Sequence, residues 1–128
     1  LTRPAPSTYQ LFIWYWLPAL VYVVAIIVVS AQPRLKPPFE FHNSDRVWHV
    51  AEYLGLGIVL VRAIRATLRL HEPFKAAMVA LAGGAAIAIG DELFQSTVPG
   101  RMSSHHDVLA DVAGLVTAQL LYLWFTRE

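Results

Sequence analysis

Asp45, His49 and Glu52 fall at i, i+4 and i+7, with Tyr53 at i+8, so on a helix these four side chains share one face. Glu52 then lies roughly 10 Å deeper along that helix than Asp45. Further on, Asp91 and Gln95 are i, i+4, Glu92 and Gln95 are i, i+3, and Asp107 and Asp111 are again i, i+4. His105 and His106 stand directly before the last pair, and Arg101 lies between the two groups. Such a set is equipped for three kinds of chemistry. It can shuttle protons, because burial raises carboxyl pKa values and spreads them over a useful range. It can bind a metal through imidazole and carboxylate oxygen, although the H-E-x-x-H spacing is absent and the residues name no particular ion. It can hold an anionic or sugar head group, with the Arg101 guanidinium as a planar fork and Gln95 and the histidines as donors.

The same residues also have a structural reading. Asp45 and Asp107 sit in first turns, where a negative charge is favoured by the helix dipole. Arg101 is placed to neutralise Asp91 or Asp107. Glu52, Glu92 and Asp111 resist that reading, because they lie inside apolar runs, where an ionisable group is costly.

These residues belong to four apolar stretches of membrane-spanning length. The spacing predicts helices over about 11–30, 45–66, 74–95 and 105–126, forming an all-α membrane protein, an antiparallel bundle of four transmembrane helices in a single domain, 1–128. Twenty residues at 1.5 Å each rise about 30 Å, the thickness of the hydrocarbon core. Residues 1–10 read as a polar arm, and Pro18 as a kink in the first helix. Trp14, Tyr15 and Trp16 at one end of that helix, and Trp124 and Phe125 at the far end of the fourth, read as interfacial belts. The first stretch is too long for the apolar core of a signal peptide, and Ala31-Gln32-Pro33 is a poor cleavage site, so a retained helix is expected. Asn43 or Ser44 is the expected N-cap of the second helix, and Ser104 with Asp107 resembles a capping box for the fourth. In the third helix Ala76, Ala80, Gly84 and Ala88 form one small-residue row, and Ala82, Ala86 and Gly90 another. Such rows let backbones approach closely in lipid, which makes the third helix the expected centre of the bundle.

An up-down-up-down path brings Asp45 to Glu52, Asp91 to Gln95 and Asp107 to Asp111 to one face of the membrane. Six basic residues (Arg3, Arg62, Arg65, Arg69, Lys75, Arg127) lie on the other side and four (Arg34, Lys36, Arg46, Arg101) on the carboxylate side. The excess predicts cytoplasmic termini and a polar cluster facing out of the cytoplasm. Arg62, Arg65 and Arg69 read as a topology determinant near anionic lipid.

The 128 residues are 56% hydrophobic and 15% charged, with mean hydropathy +0.49. A net charge of +1 with no basic stripe gives no sign of nucleic-acid binding. With no cysteine there is no disulfide framework, thiolate catalysis or Cys-type zinc site. No cofactor is expected.

His49-x-x-Glu52-Tyr53, Asp91-Glu92-x-x-Gln95, Pro99-Gly100-Arg101-x-x-Ser104-x-x-Asp107 and Asp111-x-x-Gly114 together resemble the VanZ-like family over about 44–117. One departure is Asp111, where that pattern often has Asn. The resemblance implies a small multi-pass protein of the bacterial cytoplasmic membrane, in a family whose founding members are tied to resistance to glycopeptides, chiefly teicoplanin, with no reaction attached. The expected function is an outward-facing site that binds or modifies the head group of a cell-envelope lipid or precursor. Glu52, Asp91, Glu92 and Asp111 would supply acid and base, His49 would relay a proton or ligate a metal, and Arg101, Gln95, Tyr53 and Asp107 would contact the ligand. The alternative is a small accessory subunit of a larger membrane protein complex, with the polar ring serving structure alone. An open polar cavity would favour the first, and a closed network of ion pairs the second.

Overall fold

Apolar runs of this length leave helix as the conformation in which a single span satisfies its own backbone in lipid. The computed structural model describes residues 5–33, 36, 38–69 and 71–127; Arg3, Arg34 and Glu128, which enter the charge count above, lie outside the described residues. Four helices are long and apolar enough to cross a membrane: α1 (Thr8–Ser30), α2 (Ser44–Leu68), α3 (Pro73–Gln95) and α4 (His105–Phe125). They form an antiparallel all-α bundle, and no strand occurs among the described residues.

The helix ends correct several expectations. Residues 8–10, read as part of a polar arm, are helical because Ser7 and Gln10 close a capping box: Gln10 N–H donates to Ser7 Oγ (3.2 Å) and Ser7 N–H to Gln10 Oε1 (2.9 Å). Pro18 sits where two helix types join. It is preceded by a π-helical stretch, Phe12–Trp16, in which Leu17 N–H reaches back to the Phe12 carbonyl. Proline has no N–H for the Trp14 carbonyl and its ring crowds that group; the wider turn accommodates both. At the start of α2 neither Asn43 nor Ser44 caps through its side chain. Asn43 takes a left-handed backbone (φ 61°) instead, and Ser44 N–H donates to the Phe41 carbonyl (3.0 Å). Pro73 occupies the first position of α3, where a missing N–H costs nothing.

The centre of the bundle is also not where the small-residue rows placed it. Of each span's most apolar window, 39% is buried for α2, against 33% for α4, 28% for α3 and 11% for α1. The tightest pairing is α2 with α4. There Gly57 lies on Ala118, and Gly114 on the backbone of Val50 and Leu54. Ala76, Ala80, Gly84 and Ala88 do face inward, with Gly84 packed on Leu115. The second row of α3 faces outward: Ala82, Ala86 and Gly90 are half-buried at most, and nothing lies within 4 Å of a Cβ placed on Gly90. α1 leans on α2 and α3 from the side through Ala19 and Ile26, with Tyr22 and Val23 against the core.

Candidate site at the carboxylate end

Gly114 lets α4 approach α2 at the level of Val50, one residue past His49 and three past Asp111. That register sets the first contact of the site: His49 Nδ1 lies 2.8 Å from Asp111 Oδ1, and the Asp111 side chain is 1% exposed. Facing a carboxylate, Nδ1 carries the proton, which leaves Nε2 as the ring nitrogen available to a ligand.

His49 is also a wall residue of an open cleft of about 510 Å³ between α1, α2 and the loop that carries Arg101. Glu52, Asp45, Trp48, Tyr22 and Arg101 line the same cleft. A neighbouring hollow of about 480 Å³ shares His49, Asp45, Lys36 and Arg101, and adds Gln95 and Asp107. Arg101 is turned over both by Gly100, whose φ of 81° is a left-handed conformation open to glycine. Among the described residues Arg101 makes no ion pair, so it does not neutralise Asp91 or Asp107. Tyr22 holds α1 to this wall: its hydroxyl donates to the Glu52 carbonyl (2.9 Å), and its ring lies where a side chain on Gly55 would be. On the rim Phe39 stacks on Trp48, with centroids 6.5 Å apart.

Behind the cleft lies a second polar group. Ser30 Oγ donates to Asp91 Oδ2 (2.8 Å), and Gln95 Nε2 donates to both Asp91 Oδ2 (3.0 Å) and Ser30 Oγ (3.0 Å). All three residues are buried. The Tyr53 hydroxyl lies beside Asp91, yet Tyr53 Oη and Asp91 Oδ1 each lack a hydrogen-bond partner among the described residues.

The nine candidate side chains therefore do not share one cavity. His49, Glu52, Arg101, Gln95 and Asp107 border the two hollows. Asp111, Asp91 and Tyr53 are buried behind them. Glu92 points elsewhere: Ser104 N–H donates to its Oε1, and it borders a separate hollow with His105 and His106. That contact replaces the expected capping box. Ser104 Oγ does accept from His106 N–H (3.1 Å), but the reciprocal acceptor for the Ser104 N–H is Glu92 of α3, not Asp107. His105 and His106 open α4, at the start expected from the sequence. Ser30, Tyr22 and Lys36 were not among the sequence candidates. Ser30 alone carried a signal, as the one hydroxyl at the carboxylate end of an otherwise apolar helix. Among the described residues no three His or carboxylate groups are arranged to hold a metal ion.

The model of the VanZ/LLP1 family matches residues 9–126, nearly the whole chain. The chain belongs to the VanZ/LLP1 family. No curated protein and no solved structure matches it. For a VanZ/LLP1 protein, membership fixes a multi-pass membrane fold and leaves the reaction to be argued from the site. In this VanZ/LLP1 chain the match takes in all nine candidate residues and the first helix, which sequence motifs alone did not reach.

Proposed function

We propose that this VanZ/LLP1 protein binds, and through His49 and Glu52 acts on, the polar head group of a cell-envelope lipid or precursor in a bacterial cytoplasmic membrane. The reading rests on one observation above all. An imidazole oriented from behind by a buried carboxylate lines an open cleft that also holds Glu52, Asp45 and an arginine that makes no ion pair among the described residues. In that arrangement His49 Nε2 takes a proton from a bound hydroxyl or water, and Asp111 stabilises the imidazolium that forms. Glu52 is the second acid–base group, and Arg101 holds a phosphate or carboxylate of the ligand.

An amphiphilic ligand fits the walls of the cleft. Val29 of α1 and Trp48 and Ala51 of α2 border it and are exposed on the outside of the bundle. At membrane depth that outside is lipid, so acyl chains can stay in the bilayer while the head group enters between α1 and α2. The Lys and Arg distribution supports cytoplasmic termini and an outward-facing cleft. A purely structural accessory role would call for carboxylates closed by ion pairs with Arg101, and Arg101 has none among the described residues.

The family's link to glycopeptides supplies a readout. A susceptible bacterium expressing the chain is scored for teicoplanin tolerance beside the yield of folded protein. His49→Gln and Arg101→Lys are expected to fold normally and to lose tolerance. Folded variants with full tolerance would overturn the assignment.

A further inference from the structure

At the opposite end of the bundle three guanidinium groups share one hollow. Arg62, Arg65 and Arg69 line a space of about 500 Å³ together with His71, Tyr15 and Tyr122. Arg62 lies over the Tyr15 ring (5.8 Å to the centroid) and Arg65 over the Tyr122 ring (5.8 Å). A ring face attracts each guanidinium electrostatically and leaves N–H donors available to a ligand. Arg69 is the last residue of the group and takes a left-handed backbone (φ 49°) that ends α2. Among the described residues none of the three arginines pairs with a carboxylate; the one acid nearby in sequence, Glu72, binds Lys75 (2.8 Å). The Tyr122 hydroxyl is buried and has no hydrogen-bond partner among the described residues.

We infer that this hollow is a binding site for the phosphate of an anionic phospholipid, separate from the site at the carboxylate end. Three cations held close together without counter-charge repel one another, and a phosphate ester relieves that repulsion with bidentate hydrogen bonds. The walls favour a lipid over a free anion. Tyr15 comes from α1, the arginines from α2 and Tyr122 from α4, and α1 and α4 make no backbone contact with one another among the described residues. The result is a groove floored by α2 that runs from the arginines into the membrane. One turn below Arg62 on that floor is Ile58, apolar and exposed, placed to take an acyl chain. Trp14 and Trp124, both exposed, put this end at the membrane interface, where the phosphate of a lipid resides.

The test uses the full chain in a neutral detergent, with phosphatidylglycerol, phosphatidylcholine or inorganic phosphate added, and reads bound lipid by native mass spectrometry and the melting temperature. For the wild type, phosphatidylglycerol should be retained and raise the melting temperature, at concentrations where phosphatidylcholine and inorganic phosphate do neither. Arg62→Gln with Arg65→Gln should weaken phosphatidylglycerol retention at least about tenfold, about 1.4 kcal/mol. Lys75→Gln with Arg127→Gln removes the same charge from the same end and should leave retention within about twofold, a small fraction of that energy. Equal retention of phosphatidylglycerol and phosphatidylcholine by the wild type would overturn the inference, a measurement that needs no variant to fold. So would an equal loss in both double variants, which would mean a diffuse charge effect. Stabilisation by inorganic phosphate alone would make the hollow a site for a soluble anion and overturn the lipid assignment.

Discussion

Gly114 lies so close to Val50 that a Cβ added to it would overlap the Val50 carbonyl oxygen and come within 2.9 Å of the Leu54 nitrogen. This approach of α4 to α2 brings Asp111 to His49. Gly114→Ala should therefore cost about 1–3 kcal/mol through overpacking against rigid backbone. Gly90→Ala should be neutral or stabilising, by up to about 1 kcal/mol from helix propensity, since nothing lies within 4 Å of the added methyl. Unfolding in mixed micelles with denaturing detergent measures both. Equal stability of the two variants would mean the α2–α4 register is set elsewhere.

Asp111→Asn keeps the shape of the side chain behind His49 and removes its charge. The imidazole then loses the partner that holds the proton on Nδ1. In 15N spectra of histidine-labelled protein, one of the five histidines should change its tautomer balance. It should be the one whose signal vanishes in His49→Gln. Any catalysed reaction should slow by about 100-fold or more, as for loss of a positioned acid–base group. An unchanged spectrum would separate Asp111 from His49.

Ser30→Ala removes one of the two donors to Asp91 Oδ2, among buried residues. A loss of about 1–3 kcal/mol is expected for a buried acceptor left short of a partner. Ser44→Ala is the control: Ser44 is also buried, but its hydroxyl makes only a 3.5 Å contact with its neighbour Asp45. The melting temperature should fall in the first variant and hold in the second.

Glu92 ties the 96–104 loop to α3 through the Ser104 N–H. Glu92→Gln keeps an acceptor oxygen and should fold normally. Glu92→Ala removes it and should cost about 0.5–2 kcal/mol, the range of a lost N-terminal cap. Equal melting temperatures for the two would remove the tether.

The chain has no cysteine, so a single introduced one is the sole label site. An impermeant maleimide applied outside the cell should label Ser103→Cys and miss His71→Cys. The opposite pattern would turn the carboxylate end, and with it the proposed cleft, toward the cytoplasm.

The four spans and the side of the bundle that carries the carboxylates were legible in the sequence, because helix length and polar position are local properties. Which side chains meet was not. Asp111 finds His49 across 62 residues and Gln95 finds Ser30 across 65, and both contacts depend on how each helix is rotated about its axis. That rotation is set where backbones touch, at Gly114 and Gly57. Glycine rows mark possible contacts without saying which are used: the inward row of α3 and its outward row look alike in the sequence. Ser7 and Gln10 were a readable capping box, hidden by the two prolines before them.

A π-turn holds about one residue more than the α-turn it replaces, so the stretch Phe12–Trp16 acts as a phase shifter within α1. On one side of it the helix presents Ala19, Ile26 and Ser30 to the bundle; at the shifter itself Tyr15 meets Arg62, and Trp16 Nε1 donates to Thr67 Oγ1 at 2.7 Å. Closing the stretch into α geometry with all its residues kept would turn the preceding segment by as much as about 100° and swing the aromatic side chains away from α2. The two ends of this helix are thus clocked independently, by residue count rather than by residue type.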